Sequence, residues 1–234
     1  MSLPAPSYDL MVVAAHPDDA EFGAAGTIAA WTAAGRRVVY VVCTSGEKGS
    51  SDPAVEPVEL AAVREEEQRA AARVLGVSEV VFLRHPDQGL EETPAFRRQL
   101  VALLRQYRPH TVFTSDPYRR YFWHRDHRIA GQVLLDAVFP YARDHLAYPE
   151  LLAQGLAPHK VREVWLWAAE TPNHWVDISA TFPAKLKALS CHASQVRELP
   201  VTDLGSWLQE RCQTMAQGTA YELAEAFFRA EAPP

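Results

Sequence analysis

The chain passes directly from a short apolar run into a cluster of ionisable side chains, in the stretch DLMVVAAHPDDAE at residues 9–21. A short aliphatic run bounded by polar residues is typical of a strand buried on both faces of a parallel sheet. The ionisable residues His16, Asp18, Asp19 and Glu21 follow this strand. In doubly wound sheets the carboxyl ends of the strands form the edge where ligands bind. The stretch therefore predicts both a fold class and the position of a site.

Strand-like and helix-like patterns alternate after this stretch. Apolar runs predict strands at residues 37–43, 79–83 and 111–114, and helix-favouring segments lie at residues 27–34, 60–75, 94–107 and 126–138. Alternation of this kind is typical of a parallel sheet with helices on both faces. We therefore expect an α/β fold, a three-layer αβα Rossmann-like domain with a mainly parallel twisted sheet.

The pattern weakens over residues 141–159 and then resumes. Further strands are predicted at residues 161–167 and 175–178, and further helices at residues 182–192 and 204–215. Lys185 and Lys187 fall in the first of these helices, and we expect both on its solvated face. We interpret residues 1–234 as a single domain, with an extension of strands and helices from about residue 160.

Composition and charge exclude several classes of protein. The balance of 48% hydrophobic and 22% charged residues is that of an ordinary globular chain. The net charge of -6, without a block of Lys and Arg, argues against a nucleic-acid partner. We expect no membrane association, because no apolar run approaches the roughly 20 residues that span a bilayer. Three widely spaced cysteines and the lack of a leader pattern favour a cytoplasmic location.

A second cluster of ionisable residues, His124-Arg125-Asp126-His127, follows the fourth predicted strand. Histidines three apart face the same side of a helical turn and can share one site. In common doubly wound strand orders, the first and fourth strands are neighbours where the winding reverses. We therefore expect this cluster to meet the one at residues 16–21.

Two imidazoles and one carboxylate make a three-ligand set that leaves a coordination position open, as in catalytic zinc sites. Non-haem iron(II) uses the same kinds of donor, so the sequence leaves the metal open between zinc, iron and another divalent ion. Of two adjacent aspartates, one can bind the metal while the other acts as general base. A further histidine can stabilise an oxyanion.

These residues resemble the LmbE-like (PIG-L-type) zinc-dependent N-acetylglucosaminyl deacetylases. The resemblance covers most of the chain and rests on two specific motifs, AHPDDAE at residues 15–21 and HRDH at residues 124–127. Softer matches are Gly26-Thr27, Gly46-Glu47, Arg64-Glu65-Glu66 and the segment KALSCHASQ at residues 187–195. The resemblance implies an enzyme that hydrolyses the N-acetyl amide of a small amino-sugar substrate, and weakly implies a homo-oligomer.

The resemblance also assigns residue roles. It implies zinc ligands at His16, Asp19 and His127, and a general base at Asp18. His124 would polarise the acyl carbonyl or stabilise its oxyanion, and Asp126 would orient a zinc-binding histidine. The expected substrate-binding residues are Arg64 and Asp87 for sugar hydroxyls, Glu47 at the pocket rim and His192 in the pocket lining.

Several alternatives stay open from the sequence. The group attached to the amino sugar is undetermined between a malate glycoside of low-molecular-weight thiol synthesis, a chitin fragment and an antibiotic intermediate. Family members often carry a flexible tyrosine before the second motif, and here Tyr121 and Phe122 compete for that place. His85 lies in a loop that we expect to approach the substrate. Another single-metal amidase and a non-catalytic metal-binding protein are the competing functions.

Overall fold

A computed structural model describes residues 7–121 and 124–233, and within these residues seven strands form one sheet. In chain order the strands are β1 (Leu10–Ala14), β2 (Val38–Thr44), β3 (Glu79–His85), β4 (Thr111–Ser115), β5 (Glu163–Trp167), β6 (His174–Asp177) and β7 (Ala224–Glu231). The strand order across the sheet is β3-β2-β1-β4-β5-β7-β6. The first five strands pair in parallel, and β7 pairs antiparallel with both β5 and β6.

Helices cover both faces of this sheet, which confirms the predicted three-layer α/β fold. In chain order they are α1 (Asp19–Ala33), α2 (Pro57–Leu75), α3 (Pro94–Tyr107), α4 (Arg125–Asp136), α5 (Pro149–Ala153), α6 (Phe182–Ser190), α7 (Ala193–Val196) and α8 (Leu204–Ala216). The segment Ala137–Tyr141, which follows α4, is kinked at Phe139, whose φ of -142° and ψ of 122° are not helical. Among the described residues, each helix is too short or too polar to cross a bilayer.

Side chains that alternate along β1 enter two separate cores. Val13 packs with Leu100 of α3 and Val133 of α4 on one face of the sheet. Val12 packs with Ile28 of α1 and Leu75 of α2 on the other face. Because successive side chains of a strand point to opposite faces, a continuous apolar run serves both cores at once. The run at residues 9–15 was therefore predicted correctly as a central strand.

The first helix begins eight residues earlier than the sequence predicted, at Asp19 instead of residue 27. Two glycines, Gly23 and Gly26, weaken the helical signal there, because glycine disfavours helix interiors. The structure shows why small residues are required. A Cβ at Gly23 would lie 2.5 Å from the Trp167 indole, and a Cβ at Gly26 would lie 2.7 Å from Ile178. Helix α1 thus packs too closely on its neighbours for larger side chains.

The expectation for Lys185 is wrong, since its side chain is 1% exposed. Its Nζ lies 2.7 Å from Glu225 Oε1 of β7 and donates to the carbonyl oxygens of Glu21 and Phe22. Lys187, two residues on, is exposed as expected. The last strand, β7, was missed because its mixed sequence AEAFFRAE shows no regular alternation. It supplies the buried carboxylate that pairs with Lys185.

Candidate metal centre

The ionisable residues of the two motifs meet because β1 and β4 are adjacent parallel strands. Leu10 pairs with Thr111 and Val12 with Phe113, so both strands end at the same edge of the sheet. The turn after β1 carries His16, and the loop after β4 leads into the first turn of α4, which carries His127. This adjacency confirms the strand order on which the expected convergence depended.

Three donor atoms converge at this edge. His16 Nδ1 lies 3.1 Å from His127 Nε2, and His127 Nε2 lies 3.0 Å from Asp19 Oδ1. The other Asp19 oxygen lies 3.7 Å from His16 Nδ1 and accepts a 2.9 Å hydrogen bond from the His16 backbone N–H. Ligands bound tetrahedrally at about 2.0–2.1 Å from an ion are about 3.4 Å apart. The spacing of these donors fits a shared divalent cation.

The opposite edge of the His16 ring faces two further carboxylates. His16 Nε2 lies 3.1 Å from Asp87 Oδ1 and 3.4 Å from Asp126 Oδ2. Asp126 is completely buried and accepts hydrogen bonds from the backbone N–H groups of Gln88 and Leu90. His16, Asp87 and Asp126 form a second group whose atoms could hold a metal, beside the group of His16, His124 and His127. Carboxylates on the far nitrogen of a metal-binding histidine commonly orient its ring.

His124 is the N-cap residue of α4, and its Nδ1 accepts a 3.3 Å hydrogen bond from the Asp126 backbone N–H. Since Nδ1 is an acceptor, the neutral ring carries its proton on Nε2. Burial, followed by the charges of His16 and His127, lowers the pKa of His124 below its usual value. The ring therefore stays neutral near pH 7 and can donate one hydrogen bond from Nε2.

Asp18 lies beside this cluster with an unusual backbone conformation. Its φ of 97° is rare for a residue with a side chain. Its carboxylate accepts a 3.3 Å hydrogen bond from Arg64, and burial raises its pKa to about 6 even though the Arg64 charge opposes that change. A carboxylate with a pKa near the working pH is suited to proton transfer.

The two neighbouring ligand candidates His16 and Asp19 each shift the pKa of the other. Burial would lower the pKa of His16, but hydrogen bonds from its ring to Asp126, Asp19 and Asp87 outweigh burial and raise that pKa well above its usual value. Burial would raise the pKa of Asp19, but the charge of His127 and hydrogen bonds from both histidines hold it well below the usual range. The cluster therefore keeps Asp19 ionised, as metal binding requires.

A polar cavity of about 370 Å³ opens over the cluster. Arg64 and Asp87, both expected to bind substrate, line it together with Asp18 and His124. Arg64 also donates to the carbonyl oxygens of Gly46 and Pro17, so it ties together the loops after β1 and β2. Further lining residues that the sequence analysis did not identify are Phe22, Lys48, Gly49, Gln88 and Gln195.

Two expected substrate-binding residues, His192 and Glu47, contact residues around the cavity instead of lining it. His192 is completely buried, and its Nε2 lies 3.2 Å from Glu21 Oε2, behind the cavity wall. Contrary to expectation, His192 therefore does not line this cavity, because its ring is buried against Glu21 of α1. Glu47 accepts a 2.7 Å hydrogen bond from the Asp87 backbone N–H and so supports the loop that carries Asp87. Both side chains hold structure around the site, and neither is among the described residues that line the cavity.

His85 and Tyr121 lie outside the cluster. The His85 ring packs against Phe96, with 4.6 Å between ring centroids, and its Nε2 lies 2.7 Å from Gln99 Oε1. Neither His85 nor Tyr121 is among the described residues that line the cavity, and Tyr121 is 83% exposed. Phe122, the other aromatic candidate, is outside the described residues.

Gln68 is a site residue that sequence reasoning missed. It lies one helical turn after Arg64 on α2, and its Oε1 accepts a 3.1 Å hydrogen bond from the Asp18 backbone N–H. Residues four apart share one face of a helix. A polar residue at this spacing from a candidate site residue was the signal that could have identified Gln68.

This fold and cluster define an α/β protein whose histidine and carboxylate groups at the carboxyl edge of the sheet could hold a divalent metal. The family model described as PIG-L: GlcNAc-PI de-N-acetylase matches residues 11–138, more than half of the chain and both motifs. The chain belongs to the PIG-L family, which confirms the resemblance inferred from the motifs.

Two of the relatives that the chain matches are named as deacetylases. The chain is 36% identical over 189 residues to a diacetylchitobiose deacetylase of Thermococcus kodakarensis, a match that covers 81% of this chain and 70% of the relative. It is 30% identical to a probable N-acetyl-alpha-D-glucosaminyl L-malate deacetylase 2 of Bacillus anthracis, over 86% of this chain and 91% of the relative.

A solved deacetylase structure also matches this chain over most of its length. The N,N'-diacetylchitobiose deacetylase of Pyrococcus horikoshii, in complex with its inhibitor MPG, superposes with a TM-score of 0.88 at 30% identity. The superposition covers 94% of this chain and 83% of that chain.

Proposed function

We propose that the chain is a zinc-dependent hydrolase that removes the N-acetyl group from a sugar of the N-acetylglucosamine type. The observation that carries this proposal is the convergence of His16 Nδ1, Asp19 Oδ1 and His127 Nε2, with an ionisable aspartate, Asp18, at the same cavity. The deacetylase activities of the relatives support it.

The proposed metal ligands are His16, Asp19 and His127. Once His16 has given up the proton that its raised pKa retains in the metal-free cluster, two imidazole nitrogens and one carboxylate form a donor set with an open position, which suits catalytic zinc. A zinc ion bound there supplies Lewis acidity, which makes water more acidic and polarises an amide carbonyl. Asp126 holds the far nitrogen of His16, so it positions the ring and makes Nδ1 a better donor.

Asp18 and His124 would carry out the proton transfer and the charge stabilisation. Asp18 accepts the proton of the attacking water, and the raised pKa of this carboxyl lets it return the proton to the leaving amine. The Nε2–H of His124 donates to the oxygen that becomes negative when the amide carbonyl is attacked. This donor is fixed in direction because the Asp126 N–H holds the other nitrogen of the ring.

The sugar would occupy the polar cavity beside Asp18. Arg64 and Asp87 present a cation and a carboxylate there, and each can hydrogen-bond to ring hydroxyls. The pKa of Asp87 is lowered to about 2, since burial is outweighed by its contact with His16, so it remains an acceptor at neutral pH. Arg64 keeps its position through the carbonyl groups of Gly46 and Pro17.

A substitution at Asp18 separates this proposal from a metal-binding protein without catalysis. Asp18→Asn should retain one equivalent of metal and lose the release of free amine from a panel of N-acetylglucosamine derivatives. Metal analysis of the same samples distinguishes zinc from iron. Full deacetylation by Asp18→Asn, or an inactive wild type with bound metal, would contradict the proposal.

A further inference from the structure

The backbone of Asp18 is held in its strained conformation by a residue on another helix. With φ at 97° and ψ at -24°, Asp18 occupies a region that costs free energy for a residue with a Cβ. Such a conformation persists only where surrounding contacts stabilise it. The Asp18 backbone N–H donates to Oε1 of Gln68, at 3.1 Å, and Gln68 is completely buried.

Gln68 is itself held in one orientation. Its Nε2 donates a 3.1 Å hydrogen bond to Glu21 Oε1, so the amide cannot rotate by half a turn without losing both partners. Glu21 is also completely buried, and its second oxygen lies 3.2 Å from Nε2 of His192. Buried polar groups are costly unless paired, so this arrangement has one favourable direction of hydrogen bonding.

Glu21 belongs to the motif after β1, yet the proposed reaction gives it no role. Its two carboxylate oxygens contact Gln68 and His192. It lies two residues after the proposed ligand Asp19 on α1. Its contacts connect α1, α2 and the segment before α7 behind the cavity wall.

We propose that Glu21 and Gln68 are positioning residues that hold Asp18 in the conformation needed for proton transfer. The chain of contacts runs from His192 through Glu21 and Gln68 to the Asp18 backbone, and it fixes the direction of the Asp18 carboxylate without touching the substrate. This inference rests on the proposed function of Asp18 as general base.

Gln68→Leu removes both hydrogen bonds of the amide. We expect kcat for amine release to fall about 10-fold to 100-fold, because a misplaced catalytic group lowers the rate by about that factor. KM and metal content should stay within about twofold of wild type, because the cavity residues and the three donors are unchanged. Gln132→Leu on α4 is the matched control, since this glutamine contacts Asp136 away from the site.

An exchange of the two side chains distinguishes positioning from a general loss of stability. Gln68→Glu places a carboxylate against that of Glu21 and should lower kcat as Gln68→Leu does. The double variant Glu21→Gln with Gln68→Glu restores a donor opposite an acceptor, and the carboxylate introduced at position 68 can again accept from the Asp18 N–H. We expect the double variant to recover kcat to within about fivefold of wild type, which is the coupling that a double-mutant cycle measures.

The results of these experiments test the positioning role of Gln68 and Glu21 separately from the proposed deacetylase function. If wild type releases amine and Asp18→Asn does not, the base assignment holds, and unchanged kcat in folded Gln68→Leu then overturns the positioning role. A double variant that is folded, binds metal and stays as slow as Gln68→Glu also overturns it. A wild type that releases no amine from any derivative refutes the proposed function itself.

Discussion

His16 Nδ1 and His127 Nε2 lie 3.1 Å apart although 111 positions separate the two residues in sequence. Two imidazole nitrogens at this distance need either a shared proton or a shared cation between them. Asp19 Oδ1, at 3.0 Å from the same His127 nitrogen, adds a negative charge to the pair. The relationship therefore makes metal binding the first property to test.

Removal of the metal should abolish turnover reversibly. We expect dialysis against a chelator to remove the ion and stop amine release, and added zinc to restore it, because His127 Nε2 already lies 3.1 Å from His16 Nδ1 and 3.0 Å from Asp19 Oδ1. His127→Ala should bind at least 10-fold less metal. His145→Ala, at an exposed side chain, is the control and should keep full metal content. Metal content is measured by elemental analysis; equal content in both variants would refute the ligand assignment.

Asp126→Asn should weaken metal binding without removing a ligand. The amide has one oxygen, so it can accept from only one of two backbone N–H groups, that of Gln88 on Oδ2 or that of Leu90 on Oδ1, and it loses the negative charge beside His16 Nε2. We expect an increase of about 10-fold to 100-fold in the Kd for zinc, which is usual when a carboxylate behind a metal-binding histidine is lost. Competition with a chelating dye gives this Kd, and an unchanged value would show that Asp126 does not act through His16.

Lys185→Met should destabilise the fold much more than Lys187→Met. Loss of the ammonium leaves the Glu225 carboxylate buried without its opposite charge, and breaking a buried pair in this way costs about 3–5 kcal/mol. Exposed Lys187 should change the free energy of unfolding by no more than about 0.5 kcal/mol. Urea unfolding of both variants measures the difference. Similar midpoints would mean that Lys185 is not buried as the structure has it.

Glu65 should make stability depend on pH in the acid range. Hydrogen bonds from Arg84, and further ones from Ser45 and Arg69, lower its pKa to about 2 despite partial burial. Because the folded state binds this proton less readily than the unfolded chain, the stabilisation is complete above about pH 4.5 and is lost as the pH falls toward 2.

A variant pair tests this pH dependence. Glu65→Gln should be less stable than wild type at pH 7, and the difference should shrink as the pH falls below about 4.5. Glu66→Gln, at an exposed side chain paired with Arg69, should differ little from wild type at any pH, because exposed ion pairs contribute little. Urea midpoints between pH 3 and 7 supply the measurement, and a constant difference for Glu65→Gln would contradict the expectation.

The sequence predicted the place of the candidate site correctly where the strand and the ionisable side chains lie next to each other in the chain. Residues 9–21 were enough to identify a central buried strand and the side chains at its end, because burial and side-chain type are local properties. The convergence of His16 with His127 required a further step, the adjacency of β1 and β4, which the rules for doubly wound sheets supplied.

Where several elements meet, the sequence analysis was incomplete or wrong. The patterns of residues 182–192 and 204–215 predicted helices, but not that Lys185 would enter the interior to meet Glu225. The contact between Gln68 and Glu21 was equally unpredictable, because the partners of a buried polar group come from elements distant in the chain. The sequence alone determined six of the seven strands, the motifs and the family. Only the tertiary structure decided which polar side chains are buried together, because that depends on packing between elements distant in the chain and not on local pattern.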